Sequence, residues 1–145
     1  CREEATKLYA QKPKFDALGV RMVSVLKENI PAEVEAFRHF WPADLFLDEA
    51  QGFYKALGGG QVHHKSLIMF LLRFFSPLQN RLQENAKRTK NGGFEGNLKG
   101  EGLITGGLYV MRRGGAMEYA FREEEIGDHA PLDEVLAAAE RAQKA

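Results

Sequence analysis

The chain has 145 residues, 20 basic against 20 acidic side chains, 44% apolar residues, 15 glycines and a single cysteine. Such apolar content without net charge excludes a disordered segment, and residues 1–145 are expected to form a single domain with one core. One cysteine excludes a disulfide-stapled scaffold, the ten-residue stretch Gly102–Met111 is the longest without a charged side chain and falls short of the roughly 18 residues of a membrane span, and balanced charge gives no general reason to bind nucleic acid.

Position 1 is Cys rather than Met, and a helical pattern starts at once, with Glu3 and Glu4 where acidic side chains suit a helix's positive end and Ala5, Leu8 and Tyr9 on one stripe. The chain is therefore expected to be a fragment whose earlier strands are missing. A processed lipoprotein with an acylated Cys1 is the rival explanation, but Arg2-Glu3-Glu4-Ala5 is not a flexible spacer. The opening helix is predicted over Cys1–Leu18, kinked near Lys12 by Pro13 and stopped by Gly19. Val20–Leu26 reads as a buried strand. Pro31 starts a second helix, to about Phe40, with Val34, Phe37 and Trp41 inward. Leu45–Leu47 is a short strand, and Asp48-Glu49-Ala50-Gln51 has the spacing of a capping box for a third helix ending at Leu57-Gly58.

Gly58–Lys65 is a loop, and Ser66 to about Ala86 a long helix whose apolar residues run nearly all round over Ser66–Phe75. Burial in the core or beneath the missing amino-terminal part is the expectation for that segment; a homodimer face or a membrane-surface contact is the alternative. Nine of the 15 glycines fall between Gly92 and Gly115, so much of that stretch is irregular backbone. Leu108–Met111 and Met117–Phe121 form a hairpin around Arg112–Gly115, and Pro131 opens a last helix, Leu132 to about Ala142, with Leu132, Val135, Leu136 and Ala139 on one face. Alternating strands and helices imply an α/β fold with helices on both faces of a sheet, and a terminal hairpin followed by a helix is the second half of a thioredoxin-like fold.

A thiol at a helix's amino end is favoured as thiolate, which singles out Cys1 as a candidate redox group. His63 and His64, with His39 and His129, lack the spacing of a zinc site, so no metal is expected. Arg81, Lys87, Arg88 and Lys90 read as a solvated basic helix end rather than a phosphate site. The glycines from Gly92 to Gly107 do not follow a nucleotide-binding pattern and fit a redox-partner or structural loop. Arg122 and Asp128 are candidates for orienting groups near the thiol, or for a surface pair or cap.

Cys-Arg-Glu-Glu-Ala at 1–5, Leu-Gly-Val at 18–20, Leu-Phe-Leu-Asp-Glu at 45–49 and Phe53-Tyr54-Lys55-Ala56-Leu57-Gly58 together resemble the peroxiredoxin-like 2 family. Asn-Gly-Gly-Phe-Glu-Gly-Asn-Leu at 91–98, Gly100-Glu101-Gly102, Gly106-Gly107, Phe121-Arg122-Glu123 and Gly127-Asp128-His129-Ala130-Pro131-Leu132 extend the resemblance over nearly the whole chain, residues 59–90 apart. It is similar to the selenoprotein U-like branch more than to the prostamide/prostaglandin F synthases. The resemblance implies a thioredoxin-like fold with a central mixed sheet, here lacking its first strands. It implies a Cys-x-x-Cys or selenocysteine-x-x-Cys motif, of which Cys1 would be the second, resolving cysteine. Thr105 and Gly106 are its expected neighbours, in the place of the usual cis-proline before the hairpin.

The activity so implied is a thiol-dependent antioxidant or redox-regulatory oxidoreductase acting on peroxides or disulfides. No cofactor is expected to be bound, and electrons would come from a thioredoxin- or glutathione-type reductant and ultimately NADPH. The alternatives are a reductase of lipid endoperoxides, as in the synthase branch, and a non-catalytic redox-regulated interaction module. A lone cysteine fits a reducing, cytoplasmic setting.

Overall fold

The computed structural model describes residues 2–76, 80–93 and 103–144. The expected opening helix is two, α1 (Arg2–Tyr9) and α2 (Lys12–Ala17). Pro13 stands in the first turn of α2, where its missing N–H breaks no helical bond, so the chain bends at Ala10-Gln11. Gly19 takes φ +67°, and the Val20 amide donates back to the Phe15 carbonyl at 2.9 Å, closing the helix end. β1 (Val23–Leu26) starts three residues later than expected, because Val20 and Met22 pack against the core instead of entering the strand.

α3 (Pro31–Arg38) leads to β2 (Asp44–Leu47), which pairs parallel with β1, Val23 opposite Asp44 and Leu26 opposite Leu47. Trp41 is buried as expected; its indole N–H donates to the Asp44 carbonyl at 3.0 Å and its ring meets Tyr9 edge-on. The capping box before α4 (Gly52–Leu57) does not form. Gln51 stands in the left-handed region at φ +55°, and Asp48 Oδ2 instead accepts from the Phe53 amide at 2.8 Å.

In place of one helix over Ser66–Ala86 there are two, α5 (Leu67–Phe74) and α6 (Asn80–Asn91), with Pro77 in the sequence between them. Proline in a helix interior removes a hydrogen bond and clashes with the preceding turn. Among the described side chains of the apolar segment, burial in this chain's own core is not found: Leu67, Ile68, Leu71, Leu72 and Phe75 are exposed, Ile68 at 71% and Phe75 at 76%. α5 packs on α6, whose sequence NRLQENAKRTKN has too few apolar side chains to cover it.

β3 (Gly107–Met111) and β4 (Met117–Arg122) form the expected antiparallel hairpin, its turn carried by Gly114 and Gly115 at φ +94°. α7 (Leu132–Lys144) lies across both strands and buries Val135, Ala138 and Ala139 against Phe15 and Val110, the centre of the core. The fold is the expected α/β one, with parallel and antiparallel pairing both present. They are divided, however, between two two-stranded sheets, β1–β2 and β3–β4, rather than joined in one. Between β1 and β3 lies a cavity of about 380 Å³, walled by Val23 and Val25 on one side, Leu108 and Val110 on the other, and floored by Leu8 and Phe15. Among the described residues no helix is long and apolar enough to cross a membrane.

Candidate functional site

Cys1 lies outside the described residues, and the residue after it, Arg2, opens α1. The first turn of α1 is fastened from three directions. The Arg2 guanidinium donates to Glu33 of α3 at 3.3 Å and stacks 5.4 Å over the Phe40 ring. Glu3 is 5% exposed and accepts from Lys7 at 2.6 Å and, through both oxygens at 3.0 Å, from Arg88 Nε of α6. Glu4 Oε1 accepts from the Ala130 amide at 3.2 Å, in the loop between β4 and α7.

Arg88 is the hub of this arrangement, since its remaining N–H groups donate to Asn85 Oδ1 at 2.8 Å and to the Gly127 carbonyl at 2.6 Å. Asn85 in turn donates to buried Asp128 at 3.1 Å, and Asp128 also accepts from the Glu125 amide and from Arg81, both at 2.9 Å. The basic run at 81–90 is thus not simply a solvated helix end: Arg81 and Arg88 bind the loop after β4, and Arg88 ties that loop to α1. Asp128 is a member of this network, whereas Arg122 is exposed and, among the described residues, hydrogen-bonds through its side chain to His63, Nη1 to Nε2 at 3.2 Å.

The two neighbouring glutamates of α1 are shifted in opposite directions. Burial raises the Glu3 carboxyl, but the bonds from Lys7 and Arg88 outweigh it and hold the group below its ordinary pKa. Glu4 is raised, chiefly by burial and further by the charges of Glu123 and Glu3, against the single amide of Ala130. Glu123 is raised as well: burial dominates, Asp128 adds to it, and the Gly106 amide and Lys27 oppose it. Burial drives the His129 imidazole down to about 4 even though Glu3 Oε2 lies 3.9 Å from its Nε2. Tyr54, half-buried and within the field of Glu123, is pushed up to about 12 by burial first, and its hydroxyl donates to the Val25 carbonyl at 3.2 Å.

Thr105 and Gly106 enter this site through the backbone. The chain at 103–105 pairs with 63–65 through a bridge between His64 and Ile104, and buried Thr105 donates its amide to the His63 carbonyl at 3.3 Å. The Gly106 amide donates to Glu123 Oε2 at 2.9 Å, and the Glu123 amide returns to the Gly106 carbonyl at 3.0 Å. Gly106, Glu123, Glu4 and Tyr54 all line the 380 Å³ cavity. The glycine that close approach demands is Gly107 rather than Gly106: a Cβ on Gly107 would sit 2.0 Å from the Phe121 carbonyl oxygen, while one on Gly106 would meet nothing nearer than 3.9 Å.

His63 faces the Gly58 carbonyl and Arg122, and His129 faces Glu3. Among the described residues no group of three or more His, Cys, Asp and Glu is placed to hold a metal ion. Most of the glycine-rich segment, residues 94–102, lies outside the described residues. Sequence reasoning took Glu3 and Glu4 only as partners of the helix dipole and did not single out Asn85 or Glu123. The spacing of Glu3 and Lys7, four apart on a helix, was the one local sign that Glu3 is ion-paired.

Comparison with known proteins matches residues 7–125 to the family of AhpC/TSA antioxidant enzymes. The chain is 42% identical to peroxiredoxin-like 2A of Bos taurus over 97% of its own length and 60% of the relative's. It is 42% identical to the Xenopus tropicalis protein of that name over 99% and 59%, and 38% identical to that of Danio rerio over 97% and 62%. The chain thus spans about 60% of the length of these curated relatives. No solved structure matches it. The resemblance to the peroxiredoxin-like 2 family and the thioredoxin-like α/β fold it implies are both borne out.

Proposed function

The chain belongs to the AhpC/TSA antioxidant enzyme family, and from that premise we propose that it serves a thiol-dependent oxidoreductase in which Cys1 is the second cysteine of a Cys-x-x-Cys or selenocysteine-x-x-Cys motif. The observation that carries this is the fastening of α1. The first turn of α1, which follows Cys1 in sequence, is bound by Arg88, Glu33 and Ala130, and thiol exchange needs a rigidly held scaffold. The leading chalcogenolate attacks a peroxide oxygen, the O–O bond breaks, an alcohol or water leaves, and a sulfenic or selenenic acid remains. The Cys1 thiol then attacks that sulfur or selenium, water departs with the thiol proton, and the resulting bridge takes two electrons from a dithiol reductant of the thioredoxin or glutathione type, ultimately from NADPH. With a disulfide as substrate the same two thiols are oxidised and the substrate's two sulfurs reduced. Use of those pools fits a cytoplasmic setting.

The test is NADPH consumption through thioredoxin and its reductase, using a form of the protein that includes the residues before Cys1. Hydrogen peroxide, a protein disulfide and a lipid endoperoxide serve as substrates in turn. Consumption with peroxide or disulfide that is lost in Cys1→Ser is the expected result. Consumption with the endoperoxide alone would identify the synthase-type activity, and none with any substrate would leave a redox-regulated interaction module.

A further inference from the structure

The apolar face of α5 has no part in this chemistry. Leu67, Ile68, Leu71, Leu72 and Phe75 fall three and four residues apart, so they stand on one side of the helix, and none is less than 46% exposed. The neighbour on which α5 packs, α6, is too polar to cover them. Eight helical residues are far too few to cross a bilayer, whose apolar core needs about 20. A helix of this kind lies along an apolar boundary instead.

The charge around that face is one-sided. The chain as a whole is neutral, yet the 34 residues from Ala50 to Gln83 contain no Asp or Glu and carry Lys55, Lys65, Arg73 and Arg81. Extended to Phe94, the segment holds seven basic residues against one acidic, Glu84. Part of this charge is answered from elsewhere in the fold: Asp128 takes Arg81, Glu3 takes Arg88, and Glu125 takes both Lys65, just before α5, and Arg73, in its last turn. One carboxylate between two cations leaves α5 net positive. Lys87 and Lys90 of α6 are exposed and, among the described residues, form no ion pair.

We propose that the α5 face docks on an anionic lipid surface. Its five apolar side chains enter the boundary between headgroups and acyl chains, and the cations of α5 and α6 meet the negative charge of the lipid. A second copy of the chain is the poorer occupant, because pairing α5 with itself lays one acid-free basic segment against another. An anionic bilayer supplies both an apolar phase for the stripe and the negative charge that the segment lacks. Each Lys or Arg close to such a surface strengthens binding by about fivefold. Each large apolar side chain that leaves water strengthens it by about tenfold or more. The proposal does not depend on the thiol chemistry and stands or falls apart from it.

The test is flotation with vesicles of phosphatidylcholine alone and of phosphatidylcholine mixed with phosphatidylserine, using the protein that carries its residues upstream of Cys1. Binding to the mixed vesicles that weakens as salt is raised, with little binding to phosphatidylcholine alone, is the expected result. Ile68→Lys combined with Leu72→Lys, at exposed positions, should lower that binding by about tenfold or more even though two cations are gained. Lys87→Gln combined with Lys90→Gln should lower it by about fivefold or more. Binding that neither pair changes, that is equal on the two kinds of vesicle, or that is absent overturns the proposal. A lipid-free dimer in sedimentation velocity that Ile68→Lys with Leu72→Lys makes monomeric would overturn it in favour of a second copy. Vesicle binding by the 145-residue chain that the longer form lacks would overturn it in favour of the residues before Cys1 as the cover.

Discussion

Replacing Arg88 by Met removes the guanidinium that joins α6, the loop after β4 and the first turn of α1, while keeping much of the side chain's bulk. Four hydrogen bonds are lost: two to Glu3 at 3.0 Å, one to Asn85 at 2.8 Å and one to the Gly127 carbonyl at 2.6 Å. Glu3, 5% exposed, is left with Lys7 and, at 3.9 Å, the His129 ring. Stranding a buried charge by deleting its partner costs about 3–5 kcal/mol. The Arg88 side chain is 40% exposed and Lys7 remains, so solvent screening brings the expected loss to about 2 kcal/mol. For a chain of 145 residues that is about 4–8 °C in Tm. The pH dependence follows from the folded Glu3 carboxyl lying below its ordinary value. Its contribution is complete above the unfolded carboxyl's pKa and is lost as pH falls through the folded one, so the gap between wild type and Arg88→Met should close as pH falls below the ordinary carboxyl range. Urea unfolding of both proteins at neutral and acid pH measures this. A difference below about 0.5 kcal/mol at neutral pH, or one of equal size in acid, would refute the clasp.

Gly107→Ala should destabilise the hairpin by about 2 kcal/mol or more, because Cβ and the Phe121 oxygen cannot share the space, whereas Gly106→Ala should stay within about 0.5 kcal/mol; thermal melts of the two decide it. The His129 ring, followed by proton NMR, should titrate with a midpoint near 4, and equilibrium unfolding should show stability falling as pH drops from about 6.5 through that midpoint, since the unfolded chain binds the proton first. Ultraviolet difference titration should leave Tyr54 un-ionised until about pH 12; the signal assigned by Tyr54→Phe appearing near pH 10 would contradict its burial. Ile68→Lys and Leu72→Lys should change stability by less than about 0.5 kcal/mol, and a loss of several kcal/mol would mean that face is covered.

Local signals predicted local outcomes. The bend near Pro13, the stop at Gly19, the start at Pro31, the hairpin and the apolar face of α7 follow from proline, glycine and periodicity, and each appears where those residues require. The failures are tertiary or competitive. Asp48 found a better amide in Phe53 than the capping box offered, and the helix that apolar content made continuous is two, α5 and α6. The Ser66–Phe75 stripe reads as buried by composition, yet its neighbour α6 is too polar to cover it. Of the expected site residues, Cys1 lies outside the described residues, and Gly106 enters through its amide to Glu123. Glu3 and Arg88 lie 85 residues apart in sequence, and Glu4 and Ala130 lie 126 apart, distances over which periodicity carries no information.

The most direct measurement is a non-reducing peptide map of the protein carrying its residues upstream of Cys1, taken after one equivalent of hydrogen peroxide. Cys1 bridged to the sulfur or selenium three positions before it, and released by thioredoxin, is the expected result. Cys1 recovered as a free thiol while peroxide is consumed would contradict the assignment of Cys1 as the resolving group.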